Sequence, residues 1–277
     1  MQPLAEKYLR KSALPTIFCP GCGHGTVLNA FLRVIDDLEI IDDLSLVGGI
    51  GCSSWTPVFV NTDVMHTLHG RAIAVATGLK LAQPKRHVVV FTGDGDCIGI
   101  GGNHFLHGAR RNIDMTVIML DNHIYGMTGG QVAPTTPFQA TTQTSPHGNI
   151  EPPIDASAVA ISCGATYVAR WTSAHPRGIA KAVKEAIAHK GFSFVHVLSQ
   201  CPTQAGRYIY GTSSAEKLLK QLKTLSIKKS RADEMPAEKL KGRIVIGKLY
   251  ETDQRPELCD SIYTLIESRR GSISETN

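Results

Sequence analysis

Two short polar clusters hold the residue types from which a metal-assisted phosphate site can be built. One is Gly93-Asp94-Gly95-Asp96, the other Asp121-Asn122-His123-Ile124. Mg²⁺ takes six oxygens in a near-octahedral array and shares them readily with phosphates. Asp94 can offer a carboxylate, Asn122 an amide oxygen and Ile124 its backbone carbonyl. Two diphosphate oxygens and a water would complete the shell. Gly93 and Gly95 would let the backbone come close to the phosphates. Gly-Asp-Gly alone is also a common plain turn, so context decides. Apolar runs at 88–91 and 115–120 lead straight into the two clusters. Both therefore lie just past the carboxyl ends of expected strands, where open α/β sheets bind ligands.

Cysteine supplies a second chemistry. Cys19-Pro20-Gly21-Cys22 brings two thiols to a tight turn, Cys52 lies in the glycine-rich stretch 48–52, and Cys201 follows the last expected strand. If strand ends converge on one edge, these four can meet. Four thiolates suit a tetrahedral zinc ion or a [4Fe–4S] cluster, and spacing does not separate the two. The remaining three, Cys97, Cys163 and Cys259, read as small buried hydrophobes. Seven cysteines is an odd number, and the opening residues show no signal-peptide pattern. Both facts argue against a disulfide framework and set a cytoplasmic location as the expectation.

The elements that must position these groups follow from periodicity. Residues 1–18 read as an irregular arm. Val27, Leu28, Phe31, Leu32 and Ile35 share a helical face, with Thr26 as the expected cap. Residues 44–47 read as a strand entering the glycine loop, and 72–79 as a helix closed by Pro84. Gly99, Gly101 and Gly102 open a helix through Ala109 whose N-terminus would face an anionic ligand. From 126 to 153 periodicity fades, as in functional or partner-contacting loops. A helix at 156–161, an extended stretch at 165–169, a helix at 179–187 and a strand at 192–198 follow. Strands alternating with helices predict an α/β, doubly wound parallel sheet. Residues 1–211 would form the ligand-binding domain. Residues 212–277 turn polar and lysine-rich, then extended at 242–250, and read as an extension or subunit-contact arm.

A chain that is 42% hydrophobic and 19% charged is of ordinary globular composition, and it has no apolar run long enough to span a bilayer. Its net charge of +5 gathers partly in the lysines near the carboxyl end and reads as a solvated surface. Neither nucleic acid nor membrane is expected as a partner.

Together these motifs resemble the beta subunit of the 2-oxoacid:ferredoxin oxidoreductases, most closely the 2-oxoglutarate type. The likeness runs from Phe18-Cys19-Pro20-Gly21-Cys22-Gly23-His24-Gly25 to Cys201-Pro202-Thr203. It passes through Gly51-Cys52-Ser53-Ser54, His69-Gly70-Arg71-Ala72, Gly93-Asp94-Gly95-Asp96 and Tyr125-Gly126-Met127-Thr128-Gly129-Gly130-Gln131. The resemblance implies a thiamine diphosphate-binding fold. It implies one [4Fe–4S] cluster on Cys19, Cys22, Cys52 and Cys201, and Mg²⁺ on Asp94, Asn122 and the Ile124 carbonyl. Ile50, Gly51, Cys52, Ser53, His69, Gly95, Asp96, Gly126 and Met127 would line the thiamine diphosphate. Read without the resemblance, His69 is a helix-start residue and Met127 loop filler.

The implied activity is the reversible oxidative decarboxylation of a 2-oxoacid with coenzyme A, with electrons passed singly to ferredoxin. A glutamate beside the aminopyrimidine, which thiamine enzymes usually need, has no counterpart here. An alpha subunit is implied as its source, and the chain is expected to be inactive alone. Trp55 stands where relatives that accept dicarboxylates often carry a basic residue. Pyruvate or a branched-chain oxoacid is thus the alternative substrate, and a non-redox thiamine decarboxylase or synthase with zinc the alternative enzyme.

Overall fold

Runs of β-branched and apolar residues form the strands, and the turns between them carry the polar clusters. The computed structural model describes residues 3–274. In chain order the strands are β1 Leu44–Gly48, β2 Asp63–His66, β3 His87–Gly93, β4 Met115–Asp121, β5 Ile124–Tyr125, β6 Gln131–Val132, β7 Tyr167–Thr172, β8 Phe192–Leu198, β9 Ser226–Lys228 and β10 Ile244–Glu251. Eight of them make one sheet ordered β2-β1-β3-β4-β8-β7-β10-β9, while β5 and β6 pair separately. From β2 to β7 every pairing is parallel.

Alternate side chains along each strand feed two apolar layers. Leu46, Phe91, Leu120 and Val195 pack under the helices Gly23–Leu38 and Pro176–Ala188. Val47, Val90, Met119 and Phe194 pack under Ala72–Ala82, Gly102–Arg111 and Ala156–Cys163. The sheet is thus doubly wound, as its alternation of strands and helices predicts.

The chain leaves β1 toward one edge and returns at β3 on the other side of β1. That reversal opens a crevice between the carboxyl ends of β1 and β3, the place where such sheets bind ligands.

Several expectations need correction. Residues Pro3–Tyr8 form a short helix, not an irregular arm. Six residues are too few to show periodicity, and it is the Tyr8 hydroxyl, donating to Asp36 at 2.7 Å, that ties them to the helix Gly23–Leu38. That helix starts at Gly23 with Cys22 at its cap, so Thr26 lies inside it. The Gly23 amide donates to the Gln200 carbonyl at 3.0 Å, which fixes the early start. Helical structure after β3 begins at Gly95 as a π-helical turn, Gly95–Ile100, and not at Gly99. The strand Asp63–His66 is an exposed edge without the alternation that would mark it.

After residue 212 a helix, Ala215–Leu225, leads to β9 and β10, and β10 pairs antiparallel with β7. The last helix, Leu258–Ser274, places Cys259 fully buried beside the Lys80 carbonyl. Cys97 is buried too, whereas Cys163 is half-buried. Among the described residues no helix is long and apolar enough to cross a membrane.

Candidate functional site

Three strand exits build the site. Past β1 comes Gly49-Ile50-Gly51-Cys52, past β3 the turn Asp94-Gly95-Asp96, and past β4 the turn Asn122-His123-Ile124. Between them lies a cavity of about 110 Å³. Ile50, Gly51, Cys52, Ser53, His69, Gly95, Asp96, Gly126 and Met127 all line it, and so do Asp94, Asn122 and Ile124. Every residue expected around the diphosphate end of the ligand therefore stands at one place, from segments far apart in sequence.

Asp96 holds the place together. Its Oδ1 accepts from the Ile50 amide at 3.2 Å, the Gly70 amide at 2.7 Å and His69 Nδ1 at 2.6 Å. Its Oδ2 accepts from the Thr92 hydroxyl at 2.7 Å. A buried carboxylate with four donors is fully committed to protein, so Asp96 shapes the cavity more than it offers ligand atoms. Nδ1 of His69 gives its hydrogen to Asp96, which fixes the orientation of the ring at the cavity wall. Gly49 must be glycine here, since a Cβ would stand 2.1 Å from Asp96 Oδ2.

Asp94 has a different environment. It is 4% exposed, and none of the ion pairs among the described residues involves it. Burial, and then the charge of Asp121, push its carboxyl up from the ordinary range. Asp121 suffers the same burial, but His123 and His196 hold its carboxyl well below that range. His196 Nε2 stands 2.9 Å from Asp121 Oδ2 and acts as donor. The hydrogen-bond network assigns that tautomer, because Nδ1 faces Arg170 Nε at 3.3 Å and the Ser157 hydroxyl at 3.1 Å. His123 Nδ1 lies 3.2 Å from Asp121 Oδ1 without the angle of a hydrogen bond, so that contact is electrostatic. Burial opposes charge on His123, yet Asp121 raises its pKa above the usual histidine value.

One hydroxyl bridges the two carboxylates. Thr135 Oγ1 is 2.6 Å from Asp94 Oδ2 and 2.8 Å from Asp121 Oδ1. A hydroxyl carries a single hydrogen, so it satisfies only one of two charged neighbours. Asp121 has His123 and His196 directly against it. Asp94 makes no direct ion pair and feels only the more distant charge of His123, and a divalent cation would supply a direct partner. Asn122 Oδ1 accepts from the Ile124 amide at 3.2 Å, which sets the turn that brings the Ile124 backbone to the cavity. The donor set of a carboxylate, an amide and a carbonyl fits Mg²⁺.

The thiols adjoin this cavity. Cys52 belongs to its wall, and a Cβ on Gly126 would lie 3.9 Å from both the Cys52 and Cys201 sulfurs. Burial raises the Cys22 thiol to about 12, helped by the charges of Cys201, Cys52 and Cys19, so all four stand within electrostatic reach of one another. The Gln204 amide donates to Cys201 Sγ at 3.4 Å, and the His24 amide to the Cys22 sulfur. Cys19 is exposed. Among the described residues no three His, Cys, Asp or Glu side chains converge on one ion-sized point. His24 also lines the cavity; burial lowers its pKa to about 4, so the ring is neutral.

Sequence reasoning missed Thr135, Thr92, His24 and His196 as parts of the site. Thr135 and Thr92 are ordinary loop and strand threonines by pattern, and His196 lies within an apolar strand. A buried histidine among valines is the one signal that could have marked a polar network.

Fold and site together define a thiamine diphosphate-binding α/β protein. Residues 49–197 match the thiamine pyrophosphate enzyme, C-terminal TPP binding domain, family. The chain is 52% identical over 264 residues to the 2-oxoglutarate synthase subunit KorB of Methanocaldococcus jannaschii, covering 95% of this chain and 97% of that one. With its counterpart in Methanothermobacter marburgensis it shares 50% identity, over 96% of this chain and 93% of the other. A solved 2-oxoglutarate:ferredoxin oxidoreductase from Magnetococcus marinus, with 2-oxoglutarate, coenzyme A and succinyl-CoA bound, superposes with a TM-score of 0.85. It is 36% identical, and the match covers 96% of this chain and 90% of that one. The chain belongs to the KorB family of 2-oxoacid:ferredoxin oxidoreductase beta subunits.

Proposed function

We propose that this chain is the thiamine diphosphate-binding subunit of an enzyme that oxidatively decarboxylates 2-oxoglutarate with coenzyme A. The products are succinyl-CoA and CO₂, and two electrons leave singly through a [4Fe–4S] cluster to ferredoxin. The observation that carries this reading is the double membership of Cys52, which lines the cavity beside Asp94 and Asn122 and also belongs to the group of four thiols. The site of decarboxylation and the first electron acceptor would then be neighbours.

When bound, thiamine diphosphate supplies the electron sink for decarboxylation, and an iron–sulfur cluster a one-electron acceptor. The protein's own part is positioning. Asp94, Asn122 and the Ile124 carbonyl would hold Mg²⁺ on the diphosphate. Asp96 fixes the backbone at Ile50 and Gly70 and holds the His69 ring in place through Nδ1. Cys19, Cys22, Cys52 and Cys201 would hold the cluster. The likeness to 2-oxoacid:ferredoxin oxidoreductase subunits supports an iron–sulfur cluster over zinc on these thiols. Amide hydrogen bonds to the Cys22 and Cys201 sulfurs are of the kind that tunes such clusters.

The mouth of the cavity explains the need for partners. Ile50 and Met127 line it and are exposed, and Leu68 and Ile100, neighbours of His69 and Gly70, are exposed apolar side chains as well, Leu68 at 77%. A patch of this kind marks a surface that another chain covers, here the alpha subunit that would bring the glutamate. Trp55 is held by Phe59 and His66, with ring centroids 6.5 and 5.9 Å away, and offers no cation to a distal carboxylate. That role also falls to the partner. Residues 1–211 carry every cofactor and cluster ligand in this reading, and 212–277 serve as a subunit-contact arm. A cytoplasmic location agrees with seven free cysteines.

Anaerobic assembly with the partner subunits tests the whole reading. Coenzyme A-dependent reduction of ferredoxin should be fastest with 2-oxoglutarate. A faster rate with pyruvate or a branched-chain oxoacid would replace the substrate. Decarboxylation without ferredoxin reduction would reject the redox enzyme.

A further inference from the structure

The long loop 126–153, whose lack of periodicity suits a functional loop, delivers one buried hydroxyl to the centre of the site. Thr135 is 3% exposed, and its Oγ1 is 2.6 Å from Asp94 Oδ2. The loop is bolted to the same strand exits on both sides of that contact. The Thr136 hydroxyl donates to the His123 carbonyl at 2.6 Å, and the Ala133 amide donates to Thr136 Oγ1 at 2.9 Å. Asn149 Nδ2 in turn donates to the Thr136 carbonyl at 3.0 Å, which ties the far end of the loop to the near one.

We propose that Thr135 is the positioning residue for the metal carboxylate. By occupying Oδ2 of Asp94 it leaves Oδ1 as the single oxygen offered to the cation. Its second neighbour, Asp121 Oδ1 at 2.8 Å, competes for the same hydrogen, and His196, donating to Asp121 Oδ2, eases that competition. The consequence reaches beyond one bond. Thr135 is held in the loop by its neighbour Thr136, so filling the metal site rigidifies 126–153, and ordering the loop prepares the metal site. The two are thermodynamically linked, and each should strengthen the other. Outer-shell partners of metal ligands typically change affinity by about 10- to 100-fold when removed. The inference rests on the proposed Mg²⁺ site at Asp94, Asn122 and Ile124.

The test uses the cofactor-depleted complex, with Mn²⁺ as a paramagnetic stand-in for Mg²⁺ and thiamine diphosphate present. Thr135→Val keeps the volume and deletes the hydroxyl; it should weaken Mn²⁺ by roughly tenfold or more. Thr135→Ser restores the hydroxyl and should bind within about threefold of the parent, which a merely space-filling role does not predict. In the unaltered complex, Mn²⁺ with thiamine diphosphate should slow amide hydrogen exchange across 126–153, a reading that needs no variant to fold. Parent-like affinity in Thr135→Val, equal losses in the Val and Ser variants, or loop exchange indifferent to Mn²⁺ would each overturn the proposal. Asp94→Asn separates the two levels. If it binds Mn²⁺ as the parent does, the metal site itself is wrong; if it loses Mn²⁺ while Thr135→Val does not, only the role of Thr135 falls.

Discussion

Asp94 and Asp96 sit two residues apart and have opposite fates. Asp96 is surrounded by donors, so its charge is an asset to the folded chain. Asp94 is equally buried but has the Thr135 hydroxyl, the Gly95 amide and the more distant charge of His123 for company, and burial and Asp121 still raise its carboxyl. A group held at such a cost to folding marks a place built for function. Asp94→Asn should therefore raise the melting temperature of the metal-free chain at pH 8 while abolishing Mg²⁺-dependent retention of thiamine diphosphate. Calorimetry and cofactor retention on gel filtration check the two halves. Burial keeps His24 and His196 below the ordinary histidine value, His24 at about 4. A folded-state pKa below the unfolded one means that the unfolded chain gains protons first as pH falls. The contribution of each such histidine should hold above about 6.5 and then decline toward pH 5, by up to about 1.4 kcal/mol per pH unit, while the raised pKa values of Asp94 and His123 tilt the total the other way. Urea titrations of the parent and His196→Gln at pH 7.5 and 5.5 isolate one share: on going to pH 5.5 the parent should lose more stability, or gain less, than the variant.

At the scale of elements, the site is a meeting of three strand exits with one carboxylate as the tie. Removing that tie in Asp96→Ala leaves the Ile50 and Gly70 amides, His69 Nδ1 and the Thr92 hydroxyl without their acceptor. At roughly 1 kcal/mol for each orphaned buried donor, the loss should be about 3 to 4 kcal/mol. Gly49→Ala reaches the same end from the other side, since its methyl would displace the Asp96 carboxylate. It should lower thiamine diphosphate affinity without touching any ligand atom, and isothermal titration reads that out. The strands that carry these exits were legible in the sequence because β3, β4 and β8 are nearly unbroken apolar runs ending in polar turns. Asp94, Asn122 and the thiols were legible because their residue types are chemically specific. What stayed hidden depends on through-space partners. Thr135 looks like any loop threonine until Asp94 is beside it. Cys22 as a helix cap emerges only once Gln200 receives the Gly23 amide. The strand β10 joins β7 antiparallel, a pairing that no local pattern announces.

For the molecule as a whole, the sheet gathers the candidate cofactor cavity and the thiols onto one edge but leaves that edge open. On the proposed reading the cavity of about 110 Å³ would hold the diphosphate end of the cofactor, and two exposed residues of its lining, Ile50 and Met127, are apolar. A protein that binds its cofactor in a half-site gains affinity when a second chain completes the walls. Thiamine diphosphate should therefore bind the isolated chain at least tenfold more weakly than it binds the assembled complex, a difference of about 1.4 kcal/mol or more. Cluster assembly on Cys19, Cys22, Cys52 and Cys201 should not need the partner, because all four thiols come from this chain. The isolated chain, reconstituted anaerobically with iron and sulfide, should then show thiolate–iron absorbance that Cys201→Ser abolishes, yet fail to turn over 2-oxoglutarate. Turnover by the isolated chain would mean that the open edge is already a complete active site. Absorbance appearing only after the partner is added would mean that the thiols, too, are arranged across the interface.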